Sequence, residues 1–237
     1  MIKDRLIEYE HNGVLLESYF TYDDSIDGPR PGILISHAWA GRVEQVCEIA
    51  RKLAELGYAG FALDLYGKGV FGNSPEENRE LMTPFLQDRP MLQSRLTLSL
   101  ETMQKQAEVD SGNCVGIGYC FGGLCMLDLA RIGTDIAGVV SFHGLFNAPG
   151  NTDDVKIKAK VLALHGNNDP MVHVEVVTAF EEELSAAGAD WQIHVYGNTY
   201  HAFTNPSAND PEHGLVYNET ADKRSWLTMK NFLQELF

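Results

Sequence analysis

The chain has 237 residues, 44% of them hydrophobic, and a formal net charge of −15. That length and apolar content suit one α/β domain spanning residues 1–237, with a sizeable core. The excess acid argues against nucleic-acid or anionic-membrane partners, whose phosphates would repel it, and no apolar run approaches a membrane span.

Four cysteines stand at Cys47, Cys114, Cys120 and Cys125, none in a CxxC pair. A chain this large needs no disulfide staples, so a reducing, cytoplasmic setting is expected. The opening Met1-Ile2-Lys3-Asp4-Arg5 runs into a polar segment with no apolar signal core.

Ile2 to Tyr22 reads as two strands meeting at His11-Asn12-Gly13, where Asn-Gly is a strong hairpin turn. Asp23 to Pro29 reads as a loop. Gly32 to Ser36 is a continuous apolar strand of the kind buried on both faces of a parallel sheet. Val43 to Leu56 has helical periodicity and stops at Gly57, a natural place for a helix to end. Tyr58 to Leu63 is another buried strand. Ser74 to Asp110 is helical in pattern, starting at Ser74-Pro75-Glu76-Glu77, with Pro84 and Pro90 breaking it. Asn113 to Gly118, Ile136 to Phe142 and Lys160 to His165 are apolar strands, and Trp191 to Tyr196 alternates like a strand. Helices are expected over Val172–Ala187 and Asp222–Leu236. Strands alternating with helices predict an α/β fold: a mostly parallel central sheet with helices on both faces and a short N-terminal antiparallel hairpin.

The chemistry concentrates at Gly118-Tyr119-Cys120-Phe121-Gly122. An apolar strand precedes it and a helix-like run, Leu124 to Ala130, follows. Strand, Gly-bounded turn and helix, with a nucleophile at the turn, form a nucleophile elbow, here with cysteine where serine is usual. The helix N-terminus favours negative charge on the sulfur. An acid and a histidine should follow in that order. Asp169, in His165-Gly166-Asn167-Asn168-Asp169-Pro170, and His201, in Tyr200-His201-Ala202-Phe203, supply them just past strand ends, where open α/β sheets place their sites. Cys120 is then the nucleophile, His201 the base and Asp169 the residue that orients the ring. The oxyanion is expected at the backbone N–H groups of Phe121 and Trp39, the latter in the loop after the Gly32–Ser36 strand. Trp39, Tyr119 and Phe203 are candidate substrate-pocket residues, with plain packing as the alternative for each. His37, His143 and His165 compete with His201 for the base, although a structural role bonded to backbone suits them better. No HxxxH or matching carboxylate spacing calls for a metal, and no cofactor is expected.

The cysteine elbow, Leu63-Asp64-Leu65-Tyr66, His165-Gly166-x-x-Asp169-Pro170 and Tyr200-His201-Ala202-Phe203 together resemble the dienelactone hydrolase family. Thr204-Asn205-Pro206, Tyr217-Asn218 and the run from Ala221 to Trp226 are similar to its less characterised bacterial branch. The resemblance runs from about Val14 to Phe237 and implies a single-domain α/β-hydrolase with a Cys120–Asp169–His201 triad. The activity it implies is carboxymethylenebutenolidase, the opening of a dienelactone to maleylacetate, with a small ester or lactone as partner. Two departures stand out. The family's glutamate in the loop after the third strand is Ala38 here, and the arginine expected after the histidine segment is Asn205. Arg79, Arg89 and Arg95 are other sources of a cation for a substrate carboxylate.

The expectation is therefore a cofactor-free hydrolase of a small ester or lactone working through a thioester, as a monomer or small homo-oligomer. Two alternatives stay open: a non-catalytic ligand-binding member of the fold, and a thiol redox protein using Cys120.

Overall fold

The computed structural model describes residues 1–237 and contains two compact units, Met1–Ile117 and Gly118–Phe237. Eight strands form one mostly parallel sheet, in the order β1-β2-β4-β3-β5-β6-β7-β8.

In the first unit, β1 (Ile2–His11) and β2 (Val14–Asp23) pair antiparallel from Ile2↔Asp23 to His11↔Val14. Asn12 and Gly13 take φ of 51° and 79°, the left-handed values that a two-residue hairpin turn needs. β3 (Arg30–Ser36) pairs parallel with β4 (Ala59–Ala62), and β2 pairs antiparallel with β4. Between them α1 (Glu44–Glu55) buries Val46, Cys47, Ala50, Leu53 and Ala54, one stripe at helical spacing. A large aliphatic side chain such as Leu53 contributes about 1.5–3 kcal/mol when fully buried.

The long helical pattern after Ser74 resolves into α2 (Pro75–Gln87) and α3 (Arg89–Gln104). Pro84 does not break α2, contrary to the sequence expectation. It is exposed and lies in the C-terminal part of the helix, where solvent can take up the backbone group left unpaired. The break falls at Asp88, whose side chain accepts from Met91 N at 3.0 Å and caps α3. The expected helical stretch also runs too far: α3 stops at Gln104, and β5 (Val109–Tyr119) begins before Asp110.

The second unit opens with α4 (Phe121–Arg131), followed by β6 (Gly138–Phe142), β7 (Lys160–Gly166), α5 (Val174–Ala186) and β8 (Trp191–Tyr196). β6, β7 and β8 pair in parallel, from Gly138↔Lys160 to Phe142↔Leu164 and from Val161↔Trp191 to Gly166↔Tyr196. β6 is buried throughout and β7 from Val161 onward, as the unbroken apolar runs predict. Two very short strands, β9 (Asn209–Asp210) and β10 (Leu215–Val216), have no counterpart in the sequence expectation. α6 (Glu219–Leu236) starts three residues before the expected Asp222, because the Asn218 side chain caps it by accepting from Ala221 N at 3.0 Å. No helix is long and apolar enough to cross a membrane.

Candidate active site

Cys120, Asp169 and His201 all lie in the second unit. Cys120 follows β5 at the N-cap of α4, with φ 54° and ψ −117°, a conformation that non-glycine residues avoid. Its N–H donates to the Phe142 carbonyl at 3.0 Å, and its carbonyl accepts from Gly123 N at 2.9 Å. Backbone bonds on both sides thus hold Cys120 at the strand–helix junction. The turn is so tight that a Cβ on Gly118 would sit 1.9 Å from the Gly122 carbonyl oxygen.

Asp169 follows β7 in a turn closed by Asp169 N donating to the Gly166 carbonyl at 3.0 Å. One carboxylate oxygen accepts from Met171 N at 2.8 Å, and the other accepts from His201 Nδ1 at 2.7 Å. A carboxylate can only accept, so the Nδ1 proton is assigned to the histidine. Asp169 and His201 are 3% and 1% exposed.

His201 lies in the loop after β8 and is held from both directions. Its carbonyl accepts from Val216 N at 3.1 Å, which joins it to β10. Asn205 N donates to the Ala202 carbonyl at 2.9 Å and Asn218 N to the Phe203 carbonyl at 3.1 Å. Burial alone would pull the imidazole pKa down. The charge on Cys120 and the hydrogen bond to Asp169 outweigh burial and push it up to about 10. Nε2 is buried, and Cys120 raises the ring's pKa both as a nearby charge and through side-chain hydrogen bonding.

The competing histidines have other surroundings. His37, in the first unit, donates from Nδ1 to the Ala38 carbonyl at 2.7 Å and accepts at Nε2 from Leu65 N at 3.2 Å. Both ring nitrogens are thereby engaged with backbone, and burial holds its pKa down. His165 sits against the Phe146 ring at 5.7 Å and is likewise lowered by burial. His143 lies beside His201, with ring centroids 5.0 Å apart.

The candidate pocket residues differ in exposure. Trp39 is half-buried in the first unit, and its carbonyl accepts from the Tyr66 hydroxyl at 2.9 Å. Tyr119 stacks on Phe142 at 4.5 Å. Phe203 is 0% exposed and packs edge-on against His143 and Tyr196, at 5.0 and 5.6 Å. Phe121 is buried at the first position of α4. Of the arginines, Arg95 is buried and donates to the Leu65 carbonyl and to His11, Arg89 is buried, and Arg79 is exposed. No group of three or more His, Cys, Asp or Glu side chains is arranged to hold a metal ion. A cleft of about 200 Å³ bordered by Arg131, Val155 and Glu183 contains none of the candidate residues.

Cys120 thus follows β5, Asp169 follows β7 and His201 follows β8, and the chain matches the dienelactone hydrolase family over residues 16–237. The chain belongs to the dienelactone hydrolase family. With that family comes its class of chemistry, carboxylic-ester hydrolysis. An uncharacterised protein of Caenorhabditis elegans is 36% identical over 62% of this chain and 94% of its own length. A protein of Aquifex aeolicus named "Putative carboxymethylenebutenolidase" is 27% identical over 97% of each chain. Among solved structures, the dienelactone hydrolase-like promiscuous phosphotriesterase P91 from metagenomic libraries is 34% identical, with TM-score 0.92 over 100% of this chain and 99% of its own.

Proposed function

We propose that this dienelactone hydrolase-family enzyme hydrolyses a small ester or lactone through a covalent thioester on Cys120, with His201 as proton carrier and Asp169 as its orienting acid. The observation that carries the reading is the His201 environment: a buried imidazole bonded to Asp169 through Nδ1 and raised to about 10 largely by the charge on Cys120. That is the environment of an imidazolium paired with a thiolate.

The steps follow from those groups. The Cys120 sulfur forms a bond to the carbonyl carbon, and the carbonyl π electrons move to oxygen. The Phe121 N–H, at the N-terminus of α4, is suited to stabilise that oxyanion. Collapse re-forms the carbonyl and breaks the C–O bond. The leaving oxygen takes the proton from His201 Nε2; in a lactone it stays on the same molecule as a hydroxyl. Acylation removes the sulfur's charge, and with it the largest influence raising the His201 pKa. Burial then favours the neutral ring, so His201 can take a proton from water for the second attack. That attack expels the thiolate and releases the acid. Because position 38 is alanine, activation of the sulfur rests on His201 and the helix terminus in this reading. All four cysteines are free, as a reactive thiol and a reducing, cytoplasmic setting require.

The test is turnover of a short-chain p-nitrophenyl ester and of dienelactone by wild type, Cys120→Ala and Cys120→Ser. Wild type should turn over at least one of them and Cys120→Ala none. Equal rates in wild type and Cys120→Ala remove Cys120 from the reaction. Absence of turnover by folded wild type favours the ligand-binding or redox reading. The likeness to P91 adds an aryl phosphotriester to the panel as a second substrate class.

A further inference from the structure

The three residues assigned above leave one neighbouring side chain unexplained. His143 follows β6 with φ 38°, a left-handed value that strains a residue bearing a Cβ. Its backbone N–H donates to the Leu164 carbonyl at 2.8 Å, which fixes the strained turn in place. A glycine would take this conformation without strain, so the histidine side chain is kept against a backbone cost.

The ring is held on several sides. Nε2 hydrogen-bonds the Thr204 hydroxyl at 2.8 Å. Phe203 packs against it at 5.0 Å and 79°, and Tyr119 lies 6.1 Å away. The His201 ring meets it at 5.0 Å and 65°. One well-aligned side-chain hydrogen bond holds His201, from Nδ1 to Asp169. A single hydrogen bond acts as a hinge: it fixes Nδ1 but lets the ring plane turn about the bond. A second contact against the ring removes that freedom.

We propose that His143, braced by Thr204, is a positioning residue that fixes the ring plane of His201 and so keeps Nε2 directed at Cys120. This rests on the assignment of Cys120, Asp169 and His201 made above. The neighbouring charge agrees with it. Burial, and then the proximity of His201, keep the His143 pKa well below 6.5, so a neutral ring adjoins the His201 imidazolium without like-charge repulsion. The titratable rings facing His143 are His201 and Tyr119.

The test uses the full chain with His143→Ala, His143→Gln, Thr204→Val and His201→Ala. Two readouts are taken: kcat and KM on a p-nitrophenyl ester, and the pH profile of iodoacetamide alkylation at Cys120, followed by mass. His143→Ala should lower kcat roughly tenfold to a hundredfold at unchanged KM, as a misplaced catalytic group does. Thr204→Val should give a smaller loss in the same direction. His143→Gln, an uncharged side chain able to bond Thr204, should recover part of the rate. The alkylation profile should move to higher pH in the Ala and Val variants. Unchanged kcat and profile in both overturn the proposal, as does a loss confined to KM, which would make His143 a pocket wall. Thr204→Val carries the same readouts if His143→Ala fails to fold. If His201→Ala leaves the alkylation profile unmoved, the triad assignment itself fails. If only His201→Ala moves it, the positioning role alone fails.

Discussion

Asp169 divides its two carboxylate oxygens: one receives Met171 N and fixes the turn, the other receives His201 Nδ1. Asparagine can keep the first bond but presents an N–H to the ring as readily as a carbonyl, which invites the wrong tautomer. It also removes the negative charge that supports the imidazolium. Asp169→Asn should therefore fold with a near-wild-type melting temperature and lose roughly 10²-fold in kcat, less than His201→Ala. Steady-state kinetics beside a thermal melt checks this, and a wild-type kcat would remove Asp169 from the mechanism. At this scale the sequence is informative because the chemistry leaves local marks. Gly118 and Gly122 flank Cys120, Asp169 stands in an Asn-Asp-Pro turn, and His201 follows a strand. The contact between His143 and His201 leaves no such mark. The two histidines are far apart in the chain and meet only because β6 and β8 deliver their following loops to the same place. Phe203 is fully enclosed and packs edge-on against His143.

Among the elements, the junction of β5 and α4 leaves the least room for a side chain at a glycine. Gly118 faces the Gly122 carbonyl so closely that an added Cβ has no room, and the obstacle is backbone rather than a flexible side chain. Gly118→Ala should open the turn, cost about 3 kcal/mol or more, and abolish turnover even in the soluble fraction. Urea unfolding and an ester assay read both effects, and a stable, active variant would refute this account of the turn. Strands buried on both faces are legible as unbroken apolar runs, and the hairpin as Asn-Gly. Pro84 misleads because a proline in an exposed final stretch costs less than one in a helix middle. The β9–β10 pair is not legible because two-residue strands carry no periodicity; the backbone bond between His201 and Val216 reveals β10.

For the molecule as a whole, the buried histidines set a pH dependence of stability. His37, His143 and His165 have pKa values lowered below 6.5 in the fold, chiefly by burial. Below about pH 6.5 the unfolded chain takes up protons that the folded chain refuses, so acidification favours unfolding. Each histidine kept neutral adds about 1.4 kcal/mol per pH unit to that slope. His201 has the opposite sign: its folded pKa is raised, so its contribution is complete below 6.5 and lost as pH rises through about 10. Urea midpoints should fall steadily from neutral to mildly acidic pH, and His165→Asn should show a shallower slope. An equal slope in the variant would show that His165 protonates in the folded state as easily as in the unfolded one.

Residues 206–214 form an excursion that backbone bonds fasten on either side. Asn205 N to Ala202 and Val216 N to His201 close the base of that excursion, and Asn218 N to Phe203 closes it again. The histidine is thus anchored by the stem, and the tip can change length or sequence while its imidazole stays put. The excursion therefore works as a clasp fastened at its base: substitutions at its exposed tip should leave the His201–Asp169 hydrogen bond in place.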